Sequence, residues 1–246
     1  MYSKEKYAST MGDSVYYSLK KNIMHLNLKP GESISIKEIS EQLEVSRSPV
    51  RDSLIKLERE GLITSIPKKG TIISKIDLGR VNEERFLRQC VEEKVILLFL
   101  DKYLDSDIEQ LKNRIEKQKE SIENNDIQSF LEYDDKFHEI FFKATNKMIC
   151  WETLKNTSGH YRRVRMMSLW EAQVIKHIIE QHEQMIELII NKDKGELKKL
   201  TELHLNQQDE QEKILMEKYA EYFEKNIDEK DNELSFLKRD FLKNMR

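Results

Sequence analysis

Ser46-Arg47-Ser48-Pro49-Val50-Arg51-Asp52-Ser53-Leu54-Ile55-Lys56-Leu57-Glu58-Arg59-Glu60-Gly61 reads as one helix with its start and its stop marked. Ser46 or Ser48 can cap the first turn, where a side-chain oxygen accepts from an unpaired amide. Pro49 fits only in that turn, because its missing N–H has no partner there to lose. Val50, Leu54 and Leu57 recur at i, i+4 and i+7 and form an apolar stripe. Gly61 can take the positive φ that ends a helix. Arg47 and Arg51 sit at the leading end among small hydroxyls, a set suited to a DNA groove, where arginine grips guanine edges or phosphate. An exposed arginine at a helix start is more often simply solvated, so the flanking sequence decides.

Upstream, residues 1–12 lack periodicity and read as a flexible arm, and Val15, Leu19, Ile23 and Leu26 mark the face of a first helix. Lys29-Pro30-Gly31-Glu32 is a turn. Ser35-Ile36-Lys37-Glu38 has the spacing of a capping box, opening a short helix with Ile39 and Leu43 inward. Only Glu44-Val45-Ser46 separates it from the next helix, which makes a helix-turn-helix. Downstream, two β-branched runs, residues 62–66 and 71–76, flank Pro67-Lys68-Lys69-Gly70 and predict a hairpin. Beside a helix-turn-helix, a hairpin with two lysines and a glycine at its tip is a wing.

These residues resemble the winged-helix domain of GntR-family bacterial transcription regulators. The likeness runs through Lys29-Pro30-Gly31-Glu32, Ile39-Ser40, residues 45–52, Leu57-Glu58, Glu60-Gly61-Leu62-Ile63 and Pro67-Lys68-Lys69-Gly70. It covers residues 13–76 in order and without gaps. The resemblance implies DNA contacts from Lys37, Ser46, Arg47, Ser48, Arg51, Lys69 and Gly70, with Pro49 structural.

The 246 residues are enough for two domains. Residues 1–76 hold 13 Lys+Arg against 9 Asp+Glu, leaving 29 against 36 in residues 77–246. A basic module joined to an acidic one is expected when only the first meets phosphate. Cys90 and Cys150 sit among apolar residues and read as buried thiols of a reducing compartment. The longest apolar run, residues 95–100, is too short to span a bilayer, and no signal peptide is evident, so a cytoplasmic protein with no membrane partner is expected. All three prolines and five of the seven glycines precede residue 80. The rest, charge-rich with 3.6-spaced apolar positions, predicts an all-α helical-bundle domain over residues 77–246 behind the winged helix-turn-helix of residues 1–76. Helices are expected at about 78–102, with Phe86, Val91, Val95 and Leu98 inward, and at about 107–124, 125–145, 146–159, 160–170, 171–191 and 196–223. The tail 226–246 could add one more.

Asp134 and His138 stand i, i+4 on the third of these helices and project from the same face. His182 and His204 lie on two later helices. Three imidazoles and a carboxylate in a bundle core would suit a borderline divalent ion, although a lone core histidine is usually just hydrogen-bonded. Asp134-Asp135-Lys136-Phe137-His138 with Asn146, His182 before Met185-Ile186, and His204-Leu205 resemble the ligand motif of the FadR-type C-terminal effector domain, the FCD domain. That resemblance implies a metal held by Asp134, His138, His182 and His204, with Zn or Ni first and Mn or Fe next. It also implies a small carboxylate effector bound over the metal. Asp135 is the competing carboxylate, about 100° away around the helix. Arginine is the natural second anchor for such an anion. Arg88, in Arg88-Gln89-Cys90-Val91-Glu92, matches the family's signature with Val91 for leucine, and Arg162, Arg163 and Arg165 are the other candidates. An Arg88–Glu92 salt bridge is the plain alternative. His25, His160 and His177 match nothing.

The expectation is therefore a homodimeric, metabolite-responsive transcriptional repressor on a palindromic operator, two-fold protein symmetry being mirrored in the half-sites. Two rivals stand beside it: a metal-dependent helical hydrolase, and a DNA binder with a purely structural metal. The sequence has neither a His-Asp dipeptide nor His-Glu-x-x-His to support the hydrolase.

Overall fold

The computed structural model describes residues 10–66, 70–206 and 209–224. The N-terminal unit runs α1 (Met11–Met24), β1 (Ser33–Ile34), α2 (Ile36–Gln42), α3 (Arg47–Arg59), β2 (Ile63–Ile66) and β3 (Gly70–Ile73). Val15, Leu19, Ile23, Ile39, Val50, Leu54, Leu57, Leu62 and Ile73 close its apolar core. The wing pairs β2 with β3 antiparallel, Ile63 opposite Ile73 and Ile66 opposite Gly70. β1 adds a third strand on the far edge of β3, with Ser33 opposite Ile72. Gly61 takes φ +74°, ending α3 as its position requires.

Several local expectations are corrected. Where an arm through residue 12 was expected, α1 starts at Met11, because Thr10 and Asp13 form a full capping box. The box expected at Ser35 and Glu38 is not made, and Ser46 caps α3 without a side-chain hydrogen bond. Leu43 ends α2 exposed instead of inward.

The helical unit follows: α4 (Leu78–Phe99), α5 (Asp105–Glu123), α6 (Ile127–Ala144), α7 (Met148–Thr157), α8 (Gly159–Ser168), α9 (Ala172–Ile190), α10 (Lys194–Asn206), α11 (Asp209–Lys218) and a 3₁₀ turn (Ala220–Tyr222). Asp126 caps α6 by accepting from the Ser129 amide at 2.9 Å, and Asn146, at φ +58°, ends it. The single helix expected over 196–223 is two helices and a turn. Leu197 and Leu200 serve one core, whereas Leu215 serves the other. On α4 the inner face is Val81, Glu84, Arg88, Glu92, Val95, Ile96 and Phe99. Phe86 (68% exposed) and Leu98 therefore turn outward, against expectation, because charged side chains hold the places an apolar stripe would take. Cys90 is exposed and Cys150 half-buried, both as free thiols. Among the described residues no helix is long and apolar enough to cross a membrane. The tail 226–246 lies outside them.

The two units are bolted together at residues 74–77 and at the start of α8. Ile76 donates to Tyr222 O and accepts from the Glu224 amide, at 2.8 and 2.9 Å. Within the helical unit, Glu84 of α4 fixes that start of α8 by accepting from the His160 and Tyr161 amides at 2.9 and 2.8 Å, the carboxylate that a helix N-terminus favours. A Cβ on Gly159 would come within 2.6 Å of the Leu62 side chain, so only glycine lets α8 approach the head this closely.

Candidate metal centre and nucleic-acid interface

The apolar stripe of α3 fixes which residues face outward. With Val50, Leu54 and Leu57 buried, Ser46, Arg47, Ser48 and Arg51 are exposed on one end of the helix. Neither Arg47 nor Arg51 has a hydrogen bond or ion pair among the described residues. Lys37 on α2 is exposed, its ammonium 3.9 Å from Glu41, a contact too loose and too wet to hold it. Gly70 opens β3 at φ +95° with nothing within 4 Å of a built Cβ, so its backbone can approach a partner. Lys69 lies outside the described residues.

The three histidines converge. Nitrogens of His138 (α6), His182 (α9) and His204 (α10) all lie within 4.8 Å of one another. His204 Nε2 is 3.3 Å from His138 Nε2. The opposite nitrogens face outer partners: His182 Nδ1 meets Gln118 Oε1 at 3.1 Å and His204 Nδ1 meets Gln181 Oε1 at 2.7 Å. His138 Nδ1 lies 3.2 Å from Glu92 Oε2, off the angle of a proper hydrogen bond. Such outer partners set the tautomer and turn the Nε2 lone pairs inward. His182 Nε2 is buried without a hydrogen-bond partner, 3.6 Å from Asp134 Oδ1. Three inward nitrogens, one of them orphaned, with a carboxylate beside them match the donor set of a borderline divalent ion.

Burial and neighbouring charges set the protonation of the groups around the cluster. Burial pushes His182 down to about 3 and His204 well below its ordinary value, so both rings are neutral at neutral pH. Burial opposes ionisation of Asp134, but Arg165, with the two histidines and Arg88 behind it, holds that carboxyl below the usual range. Burial likewise opposes Glu92, which Arg88 and His138 nevertheless bring down to about 2.

A cavity of about 280 Å³ opens beside His204 and Asp134, with Arg88 and Arg165 in its wall. Arg88 Nε donates to Glu92 Oε1 at 2.9 Å, so Arg88 is both a salt-bridge partner and a lining residue. Arg165 bonds Asp134 and reaches Asp135 Oδ1 at 3.0 Å. Asp135, the competing carboxylate, is outside the histidine cluster and is held by Arg162 and Arg165. Arg162 lines a separate cleft toward the head. Arg163 lines neither: it donates to Ser74 O at 2.6 Å and Gly159 O at 3.2 Å, tying the linker to α8. Its place among the effector candidates is corrected accordingly, its nitrogens being taken up by the Ser74 and Gly159 carbonyls and by His160 Nδ1.

Sequence reasoning missed Gln118 and Gln181, and took Glu92 only as a salt-bridge partner. Glutamines carry no chemical signature. Yet Gln118 stands i+3 from Ile115 on the buried stripe of α5, where a polar residue needs a partner.

Known proteins bear on both units. The gntR family of bacterial regulatory proteins matches residues 11–73, and the FCD domain matches residues 85–207. The chain is 28% identical over 213 residues to the Escherichia coli HTH-type transcriptional repressor RspR, covering 87% of this chain and 93% of that one. It is also 28% identical over 214 residues to the Bacillus subtilis gluconate operon transcriptional repressor, covering 84% and 86%. The solved structure of E. coli McbR/YncC superposes with a TM-score of 0.71 at 20% identity, over 85% of this chain and 99% of that one. The chain belongs to the GntR family of bacterial regulators, in its FadR-type branch with an FCD domain, and is a transcriptional regulator and not an enzyme.

Proposed function

We propose that this regulator is a repressor that binds a palindromic operator as a homodimer and releases it on sensing a small carboxylate at a metal in the FCD domain. The observation that carries the reading is the inward convergence of three imidazole nitrogens, one orphaned, beside a cavity walled by Arg88 and Arg165. Names of relatives support the repressor sign, since RspR and the gluconate operon regulator are both called repressors. The exposed α3 end, Ser46, Arg47, Ser48 and Arg51, with Lys37 and the wing's Lys69 and Gly70, supplies the DNA contacts.

His138, His182, His204 and Asp134 would hold the ion, Zn or Ni before Mn or Fe. When bound, a divalent ion supplies open coordination positions for carboxylate oxygens. Arg88 and Arg165 fork onto the effector's anionic end. Arg165 is bonded to Asp134 and Asp135, so an effector that draws it away changes how α8 meets α6. A shift in operator affinity requires different effector affinity in the two states.

The test is metal analysis of purified protein together with operator binding. One divalent ion per chain is expected, lost in His182→Ala. Arg47→Ala with Arg51→Ala should weaken operator binding by about a hundredfold while leaving metal content unchanged. Protein that takes up no divalent ion at micromolar concentration would overturn the metal part. Operator affinity unmoved by the arginine changes would overturn the DNA part.

A further inference from the structure

The cavity beside the histidine cluster has a polar end and an apolar body. Arg88, Asp134, Tyr161, Arg165 and His204 come to the polar end from α4, α6, α8 and α10. Phe130 and Leu131 of α6, Leu169 after α8, Val174 and Ile178 of α9 and Leu205 of α10 line the rest. Phe130, Leu131, Leu169 and Leu205 are each at most 3% exposed. The remaining polar groups of the lining are spent or lie at the surface. The Ser168 hydroxyl donates to Val164 O at 3.0 Å, His177 Nε2 meets the Gln181 side chain at 3.2 Å, and Gln173 is exposed.

One cationic fork is spare at the polar end. Both terminal nitrogens of Arg165 are engaged, one with Asp134 and the other with Asp135. Arg88 gives its Nε to Glu92 Oε1, and its two terminal nitrogens have no hydrogen bond among the described residues, in a residue only 5% exposed. A guanidinium presents two parallel N–H groups to one carboxylate, so this fork calls for a single acid group. The apolar side chains beyond it offer a hydroxyl nothing to pair with, and a hydroxyl taken from water without a partner costs binding.

We infer that the effector is a monocarboxylate with a hydrocarbon body, its acid group on Arg88 and its chain along the apolar side chains of α6, α9 and α10, and not a polyhydroxylated or polybasic acid. The inference rests on the reading of this cavity as the effector site. The cavity's 280 Å³ is roughly nine waters' worth of space, which limits the occupant to about that many non-hydrogen atoms.

Calorimetric titration of the full chain, its zinc content measured beforehand, with acetate, butyrate, hexanoate, octanoate, citrate and gluconate tests the inference. Gluconate is hexanoate's six-carbon chain carrying hydroxyls, so the pair isolates the character of the wall. The Kd should fall about fourfold for each added methylene as far as hexanoate and stop improving at octanoate, when the space is full. Gluconate and citrate should bind at least about tenfold more weakly than hexanoate. Ile178→Thr, at a half-buried wall position, should weaken hexanoate about fivefold and leave acetate unchanged. A Kd that stays flat along the series, gluconate or citrate binding as tightly as hexanoate, or no binding of any acid at millimolar concentration overturns the inference. A chain that holds no zinc defeats the metal reading alone, and the same series on that chain still decides the inference, because the apolar wall does not depend on the ion. A chain that holds zinc and prefers gluconate overturns the inference while leaving the effector site standing.

Discussion

α3 and α4 are built on opposite plans. α3 hides Val50, Leu54 and Leu57 and shows its charges to water. α4 hides Glu84, Arg88 and Glu92 and shows Phe86. The first plan stabilises a fold and offers a charged surface to a polyanion. The second takes charges out of water, which costs several kcal/mol per ion unless each is paired and hydrogen-bonded. Here each buried charge on α4 is held: Glu84 by the His160 and Tyr161 amides, and Arg88 and Glu92 by one another.

That contrast can be broken at each helix. Glu92→Gln should have the largest effect, because Arg88 then stays buried without its carboxylate. A loss of about 3–5 kcal/mol in urea unfolding of the metal-free protein is expected. A loss below about 1 kcal/mol would mean that the pair is open to water. Leu57→Ala should remove about 2–5 kcal/mol from the head alone, through a cavity in an apolar core, and proteolysis or hydrogen exchange of α3 would show it with α4 unchanged. The third comes from pH, and it is the smallest only within about one pH unit of the ordinary histidine value. Burial, with Arg163 and Arg80 behind it, pushes His160 down to about 3 from an ordinary 6.5. Between those values the unfolded chain holds the extra proton, so this group's contribution is intact above 6.5 and falls by about 1.4 kcal/mol per pH unit on the way to 3. His160→Gln should flatten that part of the curve.

The difference between the helices also explains what could be read in advance. α3 was legible because its burial pattern and its polarity agree, from Ser46 to the turn at Gly61. The Asp134–His138 spacing was legible for a similar reason: i, i+4 on a helix fixes a shared face whatever surrounds it. On α4 polarity and burial disagree, so a hydrophobic count sends Phe86 and Leu98 inward and leaves Glu92 outside. β1 was not legible because two residues carry no period. Arg163 was misplaced because a helix heptad cannot say which of three neighbouring arginines meets a linker folded back from 89 residues earlier.

On the proposed reading, the imidazole cluster of the helical unit governs DNA affinity in the head. Its most direct measurement is the operator Kd of the full chain, loaded with Zn or Ni, across a panel of small carboxylates, beside His182→Ala treated identically. At least one carboxylate should weaken operator binding of the unaltered chain by about five- to a hundredfold, with little or no change in His182→Ala. An equal response of both proteins to the same carboxylate, or none from either, would contradict the claim.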